Sequence, residues 1–378
     1  MRKTFTFCII IILLSLNLIS FELKFLKEIN LDKQLTLKSS VAYKDSLFFI
    51  KEIYNQQIIM FNDKGDILKR IGGKGKGPGE FQFILSYNLF QDKIIVNDLK
   101  LYRGSLISIY GDEIETFPVR HRYAYELFGF GDKLLFIGRF PKNPFDPIEK
   151  LNILNIYEKR NDRYSYKISS IPIEKLLKNF KSSYYINKFS HMESWVPIAH
   201  YSATINENFL YILYSYLPYF IKYNVKNSKV EYKDLNFKGY ISPYEIDLKK
   251  KKKKTENIKE TKIYESRLVF SPLDFHYFEK EQLFIAHFRI PLQLRKKMNQ
   301  KKKYRIVIFN NQLESLASID TNIKLVCLFY RNNKINLLFR DYPSDTISIH
   351  ASELENTFFL YELNNNKKLT EIEFTAPR

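Results

Sequence analysis

The side chains best suited to acid–base or metal chemistry are six histidines, at positions 121, 191, 200, 276, 287 and 350. None falls in an H-x-x-x-H, H-E-x-x-H or cysteine-containing spacing, so the sequence predicts no metal site and no cofactor. His121 lies within Arg120-His121-Arg122, where the flanking cations disfavour protonation and leave an imidazole suited to general-base work or to a polar surface contact. His200 and His287 sit beside strand-like runs. Trp195, the single tryptophan, either caps a buried interface or presents an aromatic anchor to a sugar or protein. No G-x-S-x-G elbow marks a nucleophilic serine.

Glycine is concentrated in Arg70-Ile71-Gly72-Gly73-Lys74-Gly75-Lys76-Gly77-Pro78-Gly79-Glu80-Phe81. Such a loop can cradle a phosphate on its backbone amides. The spacing speaks against that, because Pro78 and Gly79 stand where a P-loop carries Lys and Ser or Thr, and no G-x-G-x-x-G is present. The glycines are read instead as a structural bend, with Pro78 stiffening its exit and Phe81 anchoring it.

The charge balance is +19, from 60 Lys and Arg against 41 Asp and Glu. A basic chain favours anionic surfaces without specifying one, and no specific nucleic-acid contact is expected. The densest run, Lys249, Lys250, Lys251, Lys252, Lys253 and Lys254, repels itself into a solvated loop that could touch anionic lipid or polysaccharide. At the other end, Arg2 and Lys3 precede an apolar run from Phe5 to Leu16. This has the form of an export signal, though the flank Asn17 to Phe21 makes a poor cleavage site, so residues 1–20 are a signal peptide or a retained anchor. Cys8 lies inside that run, and Cys327 is expected to be a buried, inert thiol. The mature chain therefore has no intramolecular disulfide and depends on its packed core.

The elements that must position these groups are strands. Twenty-seven Tyr and 32 Phe favour β-structure, and short apolar runs bounded by turn residues recur throughout. Ser46–Lys51, Gln57–Phe61 and Ile67–Ile71, with a turn at Asn62 to Gly65, form the first set. The order returns at Lys93–Asn97, Ser105–Tyr110 and Ile114–Val119. Weaker copies fall at 133–139, 151–157 and 164–168, and at 208–214, 219–224 and 229–235. Two more run over 282–288, 305–309 and 313–319, then over 334–339, 357–362 and 369–374. The apolar stretch Phe209 to Ile221 reads as paired strands rather than a membrane span.

Six copies of a sheet-forming unit predict an all-β, six-bladed β-propeller over residues 21–378, in which each blade buries its faces against its neighbours. About 60 residues per blade exceeds compact repeats, so insertions are expected near 172–197, with a short helix at 173–180, and near 237–267. An open ring would leave reactive strand edges. Phe21 to Leu31 is therefore expected to pair into the last blade and lock the ring. In such a ring His200 and His287 could reach a central channel.

The segment Gly75, Gly77, Pro78, Gly79, Glu80 and Phe81 resembles the G-x-G-P-G-E-F blade linker of bacterial six-bladed β-propellers of the NHL-repeat-like kind. Met60 to Gly65 is similar to the turn of that repeat, and Ile95-Val96-Asn97-Asp98 to its I-x-V-x-D strand. Lys51-Glu52 stands where the repeat usually has Asp, and the resemblance fades after about residue 125. It implies a propeller. Some relatives of this kind are lyases, and related six-bladed folds are metal-dependent lactonases with ligands scattered over several blades. The leading expectation is an exported, non-enzymatic, monomeric propeller, periplasmic, envelope-associated or secreted, that binds a protein or glycan through rim loops or the channel mouth. The alternatives are a metal-dependent propeller lyase or lactonase and a basic adhesion module for anionic polymers. Arg120, His121, Arg122, Trp195, His200 and His287 are the candidate ligand-binding residues.

Overall fold

Alternating apolar and polar residues between tight turns can bury one face of a strand, and fully apolar runs bury both. The computed structural model describes residues 20–31, 35, 37–110, 113–119, 123–131, 133–140, 152–160, 163–166, 171–172, 201–214, 217–240, 270–297, 302–340 and 357–366. Strand β1 (Ser20–Asn30) comes first in the chain. Blade one follows as β2 (Leu37–Lys44), β3 (Leu47–Glu52), β4 (Gln57–Phe61) and β5 (Ile67–Gly72). Blade two is β6 (Ile84–Phe90), β7 (Lys93–Asp98), β8 (Arg103–Ser108) and β9 (Ile114–Pro118). Blade three is β10 (Tyr123–Phe130), β11 (Lys133–Phe140), β12 (Asn152–Arg160) and β13 (Arg163–Tyr166), with β14 (Ile171–Pro172) also paired to β12. Blade four is β15 (Tyr201–Asn206), β16 (Phe209–Tyr214), β17 (Tyr219–Asn224) and β18 (Val230–Asp234). Blade five is β19 (Ser271–Phe278), β20 (Leu283–Arg289), β21 (Tyr304–Asn310) and β22 (Ser315–Thr321), with the short helix α1 (Leu292–Lys297) between its second and third strands. Blade six runs β23 (Lys324–Arg331), β24 (Lys334–Arg340), β25 (Thr357–Asn366) and then β1.

All pairings between the described strands are antiparallel, and the first strands of the blades touch in a closed cycle, β2 to β6, β10, β15, β19, β23 and back to β2. The fold is the six-bladed β-propeller that the repeats predicted. Six apolar clusters hold it together, one at each blade interface. Between blades one and two, for example, Phe49, Ile58 and Met60 pack with Ile84, Ile94 and Val96. The second strands β3 and β7 are buried at every position but the first, because each lies mid-blade with neighbours on both faces. Phe209 to Ile221 contributes β16 and β17, as the sequence predicted.

The ring closes through the N-terminal strand. β1 pairs with β25 over ten positions, from Ser20 opposite Asn366 to Asn30 opposite Thr357. Asp63, in the turn between β4 and β5, clamps the junction: its Oδ2 accepts from Lys27 Nζ of β1 at 2.5 Å and from Arg331 Nη2 of β23 at 2.9 Å. Gly65 in the same turn has φ of +90°, and a Cβ there would stand 2.3 Å from the Asn30 carbonyl oxygen. Glycine is therefore required by both the turn and the close pass of β1. In every copy the expected runs are the outer strands of the blade, behind an inner strand (β2, β6, β10, β15, β19 or β23) that the repeats did not mark. In the sixth copy β24 and β25 match the first two runs and β1 stands in the fourth place, for which the third run was residues 369–374. Those residues, together with 1–19, the predicted helix at 173–180 and both insertion cores, lie outside the described residues.

Candidate functional site

The blade linker is built around Glu80. Its carboxylate folds back over the preceding loop, where Oε2 accepts from the Gly77 amide at 2.8 Å. A Cβ on Gly75 would lie 2.0 Å from that oxygen. Three further amides are used internally: Gly75 N–H donates to Phe81 O, Phe81 N–H to Gly73 O and Glu80 N–H to Gly77 O. Amides spent on the loop itself are not free to cradle a phosphate. Phe81 is fully buried in the interface between blades one and two. Arg103 ties the loop to β8, donating to the carbonyls of Lys76 at 3.1 Å, Gly77 at 3.0 Å and Glu80.

Asp98 does the corresponding work from β7. Its Oδ2 accepts from Gln82 N–H at 2.7 Å and its Oδ1 from the amides of Lys100 and Leu101. In blade one, Glu52 replaces this aspartate and accepts from Tyr54 and Asn55, the same two and three residues downstream. The departure at Lys51-Glu52 therefore keeps the turn chemistry. Lys51, almost wholly buried, donates to the Ile84 carbonyl of the next blade.

The inner strands enclose an axial channel of about 600 Å³, to which all six contribute lining residues. Hydrogen bonds between blades hold its wall. Tyr87 OH donates to Phe49 O, Asn88 Nδ2 to Leu127 O, Tyr201 OH to Ile137 O, and Tyr277 N–H to Thr204 Oγ1. Aromatic surface comes from Tyr43 and Phe329, whose ring centroids are 3.9 Å apart, and from Tyr87, Phe128 and Tyr330.

The channel's charged centre is on β19, where Asp274 and His276 share one face of the strand. His276 Nε2 lies 2.8 Å from Asp274 Oδ1, with side-chain exposures of 39% and 26%. Both are thus enclosed by the ring yet reachable from the channel. Burial alone would raise the Asp274 pKa, but the charge and hydrogen bond of His276, helped by His287 and the Phe275 amide, hold it below the ordinary value. For His276, burial works downward and is outweighed by Asp274, so its pKa is raised. Both shifts favour imidazolium beside carboxylate, a donor beside an acceptor rather than a free base.

His287 is placed otherwise than the sequence allowed for. It sits on β20, one strand behind the channel wall and opposite Asp274, with no exposure. Neither ring nitrogen has a hydrogen-bond partner. Burial, with Lys324 and Arg289 adding to it and Asp274 opposing it, lowers its pKa to about 3. Cys327 lines the channel edge but is buried, and burial reinforced by Asp274 pushes its thiol pKa well up, so it stays protonated. Arg120, His121, Arg122, Trp195, His200 and Lys249 to Lys254 lie outside the described residues. Among the described residues no group of three His, Cys, Asp or Glu could hold a metal ion. Sequence reasoning passed over Asp274 and His276. The available signal was the Asp-x-His alternation in an otherwise aromatic strand, which places two polar groups on one face.

Comparison with known proteins agrees with this architecture. Residues 14–110 match a family described as a 6-bladed beta-propeller, DUF5128. A member of the DUF4221 family from Bacteroides vulgatus ATCC 8482 superposes with a TM-score of 0.60 at 13% identity, covering 92% of this chain and 99% of that one. A candidate exported protein from Bacteroides fragilis NCTC 9343 superposes with a TM-score of 0.52 at 13% identity, covering 93% and 96%. No curated protein matches the sequence. The chain is a six-bladed β-propeller, and these likenesses extend to the fold alone.

Proposed function

We propose that this chain is an exported, non-catalytic binding propeller whose axial channel is the ligand site. The observation that carries the reading is the channel itself, about 600 Å³ with contributions from all six inner strands and a charge-locked Asp274–His276 pair. Concave sites with aromatic walls and a few fixed polar groups suit recognition of a small ligand or of one protruding group of a larger one. An imidazolium already paired to its carboxylate supplies hydrogen bonds more readily than it abstracts a proton. The charged, apolar N-terminus and the exported character attributed to the Bacteroides fragilis protein support placement in the envelope or outside the cell. Arg120, His121, Arg122, Trp195 and His200 remain candidate ligand-binding residues by sequence.

The test is capture of envelope and extracellular material by the full chain beside Leu273→Trp. Leu273 lines the channel without being fully buried, so a tryptophan there narrows the site. Material lost on this change supports the channel, and material retained in full refutes it. The adhesion reading draws on the lysine run Lys249 to Lys254. It predicts instead that capture disappears at several-fold higher salt whatever occupies the channel.

A further inference from the structure

We infer that the channel takes a neutral, hydroxyl-rich ligand, a sugar ring or the end of an oligosaccharide, and not an ion. The inference rests on the channel-binding reading above. The chain carries +19 overall, yet its channel mixes the acids Asp45 and Asp274 with the bases Lys44, Lys324 and His276. Two of the three bases are matched locally. Lys44 Nζ lies 2.5 Å from Asp92 and 4.0 Å from Asp45, and His276 is matched by Asp274. Counted with Asp92 on Lys44, the acids Asp45, Asp92 and Asp274 stand against the bases Lys44, Lys324 and His276, so an incoming anion and an incoming cation alike meet as many repelling as attracting groups. Either would pay desolvation without a net opposite charge to receive it.

The unused valences point the same way. Both protein contacts of Asp274, from His276 and from the Phe275 amide at 3.0 Å, fall on Oδ1. Among the described residues nothing donates to Oδ2, and nothing accepts from His276 Nδ1. One strand face thus offers an acceptor beside a donor. A hydroxyl both donates and accepts, so two neighbouring hydroxyls can serve the carboxylate and the imidazolium together, which an ion that only donates or only accepts does not. Tyr43, Tyr87, Phe128 and Tyr330, each half-buried, supply flat apolar faces from four different inner strands, the complement of the C–H faces of a sugar ring. The volume lies within the ~300–1,000 Å³ typical of small-molecule sites.

The experiment is an array of neutral, acidic and amino-sugar oligosaccharides probed with the full chain, followed by calorimetry with glucose, N-acetylglucosamine, glucuronate and glucosamine. Asp274→Asn, which keeps size and removes the charge, and Leu273→Trp are tested alongside, each first checked for wild-type circular dichroism. The expected result is selective binding of neutral sugars, little changed by salt, weakened tenfold or more by Asp274→Asn and abolished by Leu273→Trp. Preference for acidic sugars with steep salt dependence overturns the neutral class, while loss on Leu273→Trp would still uphold the channel. Sugar binding untouched by both variants overturns the site. An array without binders, beside captured envelope material that Leu273→Trp releases, overturns the sugar alone.

Discussion

Replacing His287 with leucine should leave the protein at least as stable at pH 7 and make it distinctly more stable in mild acid. The imidazole is fully buried on β20, and both ring nitrogens lack partners, so an apolar side chain of similar size removes an unsatisfied polar group from the interface between blades five and six. The pH dependence follows from linkage. With a native pKa of about 3 against an ordinary value near 6.5, the unfolded chain binds a proton between these limits and the folded chain does not. Stability therefore falls as pH drops through about 6.5 and continues to fall until about 3. One protonation difference is worth about 1.4 kcal/mol per pH unit. Between pH 6 and pH 4 the wild type should thus lose on the order of 3 kcal/mol that His287→Leu retains. Urea unfolding followed by circular dichroism at half-unit pH steps measures the difference directly, since all other titrating groups are common to both proteins. Parallel stability curves for the two proteins would refute the account of His287 as a neutral, desolvated group.

Three further outcomes are expected. In Asp274→Asn the opposing charge is gone and burial acts alone, so the His276 pKa should move from above its ordinary value to below it, read by NMR titration of the imidazole carbon-bound protons; an unchanged value would contradict the ion pair. Arg103→Ala removes a charged donor from three linker carbonyls and should cost about 2 kcal/mol, seen as a lower urea midpoint at unchanged slope. A chain beginning at residue 37 lacks β1 and exposes the β25 edge along ten paired positions; size-exclusion chromatography should show oligomers or aggregate in place of a monomer, and a clean monomer would argue against ring closure by β1.

Middle strands announce themselves in the chain because they are uniform. Ile94, Ile95 and Val96, or Phe48, Phe49 and Ile50, are apolar on both faces and bounded by turn residues, and a stretch of this kind has few other places to go. The closing strand was also legible, since a ring with an open edge is a hazard that a spare strand-like segment at one terminus can remove. The linker could be read as structural from Pro78 and Gly79, which fail the demands of a phosphate loop. The inner strands resisted. β6 is only half-buried beyond its first residue, because one side faces the channel, and in five of the six blades the inner pairing carries a register shift. A bulge moves later side chains to the other face and erases the two-residue alternation.

That is why the candidate site was not visible in advance. Local pattern and turn chemistry sufficed for the strands behind the inner ones, their order and the number of blades, all properties of segments a few residues long. Which polar residues meet depends on six strands drawn from positions 37 to 331, brought to one axis by the closure of the ring. Asp274 and His276 reach the channel and His287 does not, although all three belong to neighbouring strands of the same blade. The first strand of a blade faces the axis and the second lies behind it, a distinction that only the assembled ring makes.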